Sequence, residues 1–444
     1  MPATKRKIAH TFSGESYTLS IDANDPFVHL DDAAGTPLAQ LFVLSSLDPL
    51  CGRDDTLSVS EWEVVEASAE TVFSLRARSS AWEEKIYRFR CTPHRFIYEI
   101  EVIGEGHLAD VHLFGGYYSG KLRYGSGFFP SGQWFRQGFN PEPNVDHATH
   151  FSPVESTSID LIGVPVPGRR DWFFTPTPFC FAFQGRHGWI GMGVEARAGE
   201  NRWTEYRYLG QQSAFHLTLN YEGYTEVAGH YQLPAIGFDF APSEYGVLAA
   251  HVQALRDAGH VPPLQPREKP AWWREPIFCG WGSQCYLASL VEGHAPDYAR
   301  QHLYEQFLES LDRNGIAPGI IVLDDKWQVA YGENQVDEDK WSDLRGFIDE
   351  QHVAGRKVLL WFKAWDPEGV PPEECIKNAA GLPIAVDPTN PAYQQRLRAS
   401  IRRMLSPSGY DADGFKIDFS ARIPSGPAMH RHGDAWGLEL MKVY

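Results

Sequence analysis

The sequence predicts an N-terminal β-sandwich followed by an α/β barrel of the TIM type, of which only about the first four βα units are present. Three observations predict it. Residues 1 to about 240 hold many short runs rich in Val, Ile, Phe and Tyr, with no long helical period. A Pro-rich stretch comes next. From Pro276 onward, short continuous apolar runs alternate with segments of helical period, the pattern of a parallel sheet covered by helices.

In the first region, Glu70–Arg78, Lys85–Cys91 and Arg95–Ile103 read as successive strands. Phe96, Tyr98, Ile100 and Val102 alternate with Glu99 and Glu101, as in a half-buried strand. Gly, Pro and Asn clusters punctuate the region, which favours a sandwich. Phe114–Phe139 is unusually aromatic and reads either as a sandwich hairpin or as a loop closing over a ligand site. Ser243–Ala258 has helical period and stops at Gly259. Val261–Pro276 carries five Pro in sixteen residues and reads as a stiff linker. The predicted division is therefore a sandwich over 1–240, a helix and linker over 241–275, and barrel over 276–444.

In the barrel region, Ile277–Gly282, Gly319–Asp324, Lys357–Phe362 and Gly414–Phe419 are predicted strands. Asp297–Leu311, Trp341–Ala354 and Asn390–Leu405 are predicted helices, with part of another around Trp436–Val443. No Gly-rich dinucleotide fingerprint follows any strand, which weighs against a doubly wound sheet. Four such units are half of the eight, roughly 250 residues, of a complete barrel, so an unpaired sheet edge is expected.

Composition narrows the function classes. The net charge of −17 argues against nucleic acid or an anionic membrane as partner, since both select basic patches. Fourteen Trp and nineteen Tyr suit either sandwich cores or flat ligands such as sugars. The six Cys show no CxxC or metal-type spacing and read as buried thiols of a reducing compartment. The N-terminus lacks an apolar signal core and there is no run of 18 apolar residues, so a cytoplasmic location is expected.

The chemistry sits at the strand ends. Leu323-Asp324-Asp325-Lys326-Trp327, Trp361-Phe362-Lys363 and Lys416-Ile417-Asp418 each end a predicted strand. Barrel strands deliver their C-terminal ends to one mouth, which would gather these carboxylates with Trp281, Trp327 and Trp361. Carboxylates bind hydroxyls and indole faces stack on pyranose rings. Glycosidic cleavage needs such a set: one carboxylate to stabilise or capture an oxocarbenium-like centre, and an acid for the leaving oxygen. Lys416 is expected to hold Asp418 ionised. Each residue also has a structural reading: an ion pair for Lys416 and Asp418, a capping turn for Asp324 and Asp325, and barrel core for Trp281 and Trp361.

Asp413 to Pro424 resembles the nucleophile strand of glycoside hydrolase family 31, in particular its α-xylosidase and α-glucosidase members. Leu323–Trp327 is similar to that family's second-strand motif, Val358–Trp361 to its third strand, and Asp387-Pro388-Thr389-Asn390-Pro391 to its D-x-TNP segment. The same stretches resemble the α-galactosidases of family 36, of the same clan. The resemblance implies a retaining α-glycosidase that works through a glycosyl-Asp418 intermediate. In it Asp324 binds sugar hydroxyls, and Trp361, Lys416 and Arg422 are pocket neighbours; the strand-end positions add Asp325, Trp281, Trp327 and Lys363 as candidate substrate-binding residues. It also implies that the general acid lies on a later barrel strand, so that the 444-residue chain would lack it. No metal or organic cofactor is implied. The alternatives are a non-catalytic carbohydrate-binding protein, one half of a split enzyme completed by a second chain, and an enzyme for α-galactosides. A homo-oligomer is a further expected form.

Overall fold

The computed structural model describes residues 7–118, 122–128, 179–210, 214–263, 265–420, 424, 426 and 428–444. Most of the aromatic segment Phe114–Phe139 therefore lies outside the described residues, as does Arg422.

The N-terminal part is built from two sheets, one of five strands and one of thirteen. Tyr17–Asp22 shows why they pack. Its buried residues alternate, with Tyr17, Leu19 and Ile21 fully buried, so one face of the strand is apolar and must be covered. The cover comes from the larger sheet. The Tyr17 ring stacks on Phe240 with centroids 5.0 Å apart and lies 5.2 Å from Phe96. Its hydroxyl donates to the Thr92 and Arg95 carbonyls at 3.0 and 3.1 Å, so the buried phenol is satisfied. The spine of the larger sheet is the 19-residue strand Arg95–Leu113, paired antiparallel with Glu84–Cys91 and with Phe215–Gln232.

The helix Glu244–Asp257 begins where the Ser243 side chain accepts from the Gly246 amide at 3.1 Å. It packs against the sandwich, with His251 over Gly193 so closely that a Cβ there would lie 2.3 Å from the imidazole. This helix therefore belongs to the sandwich layer, and the Pro-rich linker starts after it.

Beyond the linker, four parallel strands stand in sequence order: Ile277–Cys279, Ile320–Leu323, Lys357–Lys363 and Gly414–Asp418. The helices Gln301–Arg313, Leu344–Val353 and Pro391–Leu405 lie between successive strands in the chain. All four residues of Ile320–Leu323 are buried, as a parallel strand covered on both faces requires. Several boundaries differ from the sequence reading, each for a local reason. The first strand ends at Cys279 because a helix, Trp281–Ser289, starts at once. Residues 341–343 stay out of their helix because the Asp343 side chain caps it by accepting from the Gly346 amide at 2.8 Å. Asn390 likewise caps the third helix, with Pro391 at its first position. The C-terminal helix Leu438–Val443 is tied to the sandwich at Gly437, whose φ of 58° and approach to the Trp203 carbonyl both exclude a side chain.

The thiols correct an expectation. All six Cys are unpaired, but only Cys91 and Cys375 are buried, while Cys51 and Cys285 are exposed. Among the described residues no helix is long and apolar enough to cross a membrane.

Candidate active site

The second strand delivers Asp324 to the C-terminal mouth of the parallel sheet, 2% exposed. Its backbone amide donates to the Tyr304 hydroxyl at 2.9 Å, and that hydroxyl donates to Gln284 Oε1 at 2.8 Å. Gln284 in turn donates to the Asp325 carbonyl at 2.6 Å. A buried polar chain thus fixes the start of the loop. The Asp324 carboxylate has three donors: Lys416 Nζ at 2.7 Å and Cys279 Sγ at 2.9 Å on Oδ2, and the Asp325 amide at 2.9 Å on Oδ1. Asp324 and Lys416 come from the second and fourth strands. Side chains of alternate strands meet in this way inside a curved parallel sheet.

Lys416 was expected to serve Asp418, two residues away. Its closest carboxylate is instead Asp324, with Asp418 Oδ2 at 4.0 Å. Burial alone would push the Lys416 ammonium down. The Asp324 bond and charge, aided by Cys279 and Asp418, reverse this and raise it above the ordinary value.

Asp418 ends the fourth strand with its side chain 25% exposed. The Trp361 indole donates to Oδ2 at 3.1 Å and the Phe419 amide to Oδ1 at 2.9 Å. Phe419 itself leaves the strand at φ 58°, and its ring turns edge-on to Trp361. It therefore does not continue the alternation of Phe415 and Ile417. Trp361 is held from below, because Trp327 Nε1 donates to its carbonyl at 2.8 Å.

A second cluster lies on the loop after the second strand. Tyr331 donates to Asp325 Oδ1 at 2.9 Å and stands edge-on to Trp361 with centroids 5.5 Å apart. Lys363 Nζ sits 3.8 Å over the Tyr331 ring and pairs with Asp366 at 2.8 Å. Burial raises the Asp325 carboxyl above the usual range. The Tyr331 bond and Lys363 oppose this, while the Asp324 charge adds to it.

Set against the sequence reading, the structure bonds Lys416 to Asp324 and Trp361 to Asp418, with 4.0 Å between Lys416 Nζ and Asp418 Oδ2, and joins Asp325 to Trp361 through Tyr331. Trp327 is fully buried, with no face for a ligand. Trp281 is 37% exposed on the first turn of its helix. Cys279, Tyr304 and Tyr331 are the residues the sequence reading missed. For Tyr331 a signal existed: it lies on the loop leaving a strand's C-terminal end, where barrel sites are built. Among the described residues one group has a metal-binding composition, Asp349, His352 and Asp411. Arg345 already bridges its two carboxylates, at 3.0 and 3.3 Å.

No family model matches the sequence, and no curated protein matches it. Solved structures do match in fold. A quadruple mutant of the α-N-acetylgalactosaminidase NagBb from Bifidobacterium bifidum aligns at TM-score 0.54 and 11% identity, over 98% of this chain and 74% of that one. The GalNAc complex of the same enzyme aligns at 0.51 and 10% identity, over 88% and 67%. A family 31 dextranase from Flavobacterium johnsoniae aligns at 0.42 and 11% identity, over 96% and 50%. This chain thus spans half to three quarters of the length of these proteins. Its structural neighbours are glycoside hydrolases, and it shares the fold of the α-N-acetylgalactosaminidase over most of its own length.

Proposed function

We propose that this chain carries the β-sandwich and four parallel barrel strands of a retaining α-glycosidase, with Asp418 as its nucleophile. The observation that carries the reading is the state of Asp418. It is a part-exposed carboxylate at the C-terminal end of a parallel strand, held among the described residues by two neutral donors and with an ammonium 4.0 Å away. That environment leaves lone pairs for attack.

In the proposed reaction an Asp418 oxygen bonds to the anomeric carbon as the glycosidic C–O bond breaks, and the departing oxygen takes a proton from a carboxylic acid. Water, deprotonated by that same group, then cleaves the glycosyl ester with net retention. Lys416, with its side chain 35% exposed, and the buried Asp324 behind it would engage sugar hydroxyls as one unit. Trp281 offers a stacking face. The substrate class is an α-xyloside, α-glucoside or α-galactoside.

An activated glycosyl fluoride tests the nucleophile without the acid, because fluoride leaves with little protonation. Incubation with 5-fluoro α-glycosyl fluorides of xylose, glucose and galactose should add one glycosyl unit to the Asp418 peptide, seen by mass spectrometry. Asp418→Asn should add none. A folded chain that binds the sugar yet forms no adduct overturns the reading in favour of a carbohydrate-binding protein.

A further inference from the structure

Cys279 closes the first strand of the parallel sheet, and no feature of its sequence context marks it. Its Sγ lies 2.9 Å from Asp324 Oδ2 and 3.8 Å from Lys416 Nζ. The same Oδ2 receives Lys416 at 2.7 Å. Three strands therefore meet at one oxygen: the first gives the thiol, the second the carboxylate, and the fourth the ammonium. Burial, then the bond and charge of Asp324, push the thiol up to about 11, so at neutral pH it keeps its proton and acts as a donor. The other oxygen, Oδ1, is already engaged by the Asp325 amide.

We propose that Cys279 is a positioning residue of the site, clamping the Asp324 carboxylate together with Lys416 so that its remaining lone pairs point in a fixed direction. The assignment rests on the proposed role of Asp324 as a sugar ligand. Its physical logic is that of a carboxylate held from two sides. With a single donor on Oδ2 the group can rotate about its Cβ–Cγ bond. With donors from strands on either side of its own it is fixed, and a site on rigid strand ends gains from that fixation. A Ser would keep a donor at this place; an Ala would leave Oδ2 with the ammonium alone.

The test reads the clamp directly, with no sugar present. The full chain is alkylated with iodoacetamide across pH 7 to 11, and each Cys is followed by peptide mass spectrometry. Cys279 should react far more slowly than the exposed Cys285, with its half-maximal rate near pH 11. Asp324→Asn removes the charge that stabilises the protonated thiol, and should speed Cys279 about tenfold at pH 8. Lys416→Met removes the cation that favours the thiolate, and should slow it several-fold. Unfolding cannot slow a thiol, so this second variant decides the matter if the first misfolds, a failure that reactivity at the buried Cys91 would reveal. Equal Cys279 rates and pH profiles in wild type and Lys416→Met overturn the assignment. These rates do not depend on a glycosyl adduct at Asp418, so an inert Asp418 would sink the glycosidase reading and leave the clamp standing.

Discussion

Two aspartates bracket the fourth strand of the parallel sheet, and they are held in opposite ways. Asp413, just before the strand, has Lys357 Nζ at 2.8 Å on Oδ1, with His352 Nε2 and the Val358 amide each at 2.8 Å on Oδ2. Its side chain is 14% exposed. Asp418, at the far end, has among the described residues two neutral donors and more exposure, with the nearest described cation at 4.0 Å. One residue type on one strand thus serves as a saturated structural joint at the N-terminal end of the sheet and as an under-coordinated carboxylate at the mouth. On the proposed reading the difference separates stability from chemistry within five residues, as barrel sheets generally do.

The largest effect should come from exchanging the two sites' fates. Asp418→Asn should abolish glycosyl trapping outright while leaving the urea midpoint nearly unchanged, since no buried cation loses its partner. Asp413→Asn should do the reverse, cutting stability by about 2 to 4 kcal/mol while each folded molecule still traps. If Asp413→Asn abolishes trapping in folded protein, or Asp418→Asn unfolds it, the division between the two ends fails.

The same contrast has a pH signature. Burial would raise the Asp413 carboxyl, but the Lys357 bond, the Val358 amide and His352 together bring it below its usual value. An unfolded Asp titrates near 3.9. A group lowered in the folded state contributes its full stability above that value and loses it as pH falls through the lower folded value. Urea midpoints measured from pH 7 to pH 3 should therefore fall below about pH 4, and Asp413→Asn should flatten that acid slope. An unchanged slope would mean that the three partners of Asp413 do not act in solution.

Much of the scaffold was legible because its signals are local. The apolar run Ile320–Leu323 is buried throughout, and Pro391 and Asn390 mark a helix start that the structure keeps. The site was legible only in part, because its bonds run between strands. Spacing placed Lys416 beside Asp418, yet sheet curvature carries its side chain to Asp324, 92 residues earlier. Nothing in the sequence near Cys279 announces a carboxylate partner 45 residues on. The alternation of Phe415, Ile417 and Phe419 with Lys416 and Asp418 reads as a strand with one buried apolar face, but Ile417 is 63% exposed. Periodicity reports which side of a strand is apolar, and not whether anything covers it. Trp327 misled for a related reason: an indole near a strand end reads equally as platform or as prop, and here the buried Nε1–Trp361 bond makes it the prop.

That prop predicts an intermediate effect. Trp327→Phe removes the 2.8 Å bond to the Trp361 carbonyl and leaves a small void in a fully buried position. The expected cost is about 2 to 3 kcal/mol. Because Trp361 also donates to Asp418, trapping should slow several-fold without being lost. A loss as complete as that of Asp418→Asn would place Trp327 in the chemistry itself.

The smallest effect belongs to the loop cluster. Tyr331→Phe deletes one hydroxyl, the donor to Asp325 Oδ1 at 2.9 Å, and keeps the ring that packs against Trp361 and Lys363. Stability should fall by about 1 kcal/mol or less, the worth of one part-exposed hydrogen bond. The informative readout is pH. Burial already raises the Asp325 carboxyl, and the Tyr331 bond is the foremost influence holding it down. Removing that bond should raise it further, so that Asp325 loses its charge at a higher pH. If Asp325 contacts the sugar as an ionised acceptor, the acid limb of the trapping rate should shift toward neutral pH in Tyr331→Phe and stay in place in Asp413→Asn. A limb that moves in neither variant would remove Asp325 from the mouth's working set and confine the chemistry to Asp418, Lys416 and Asp324.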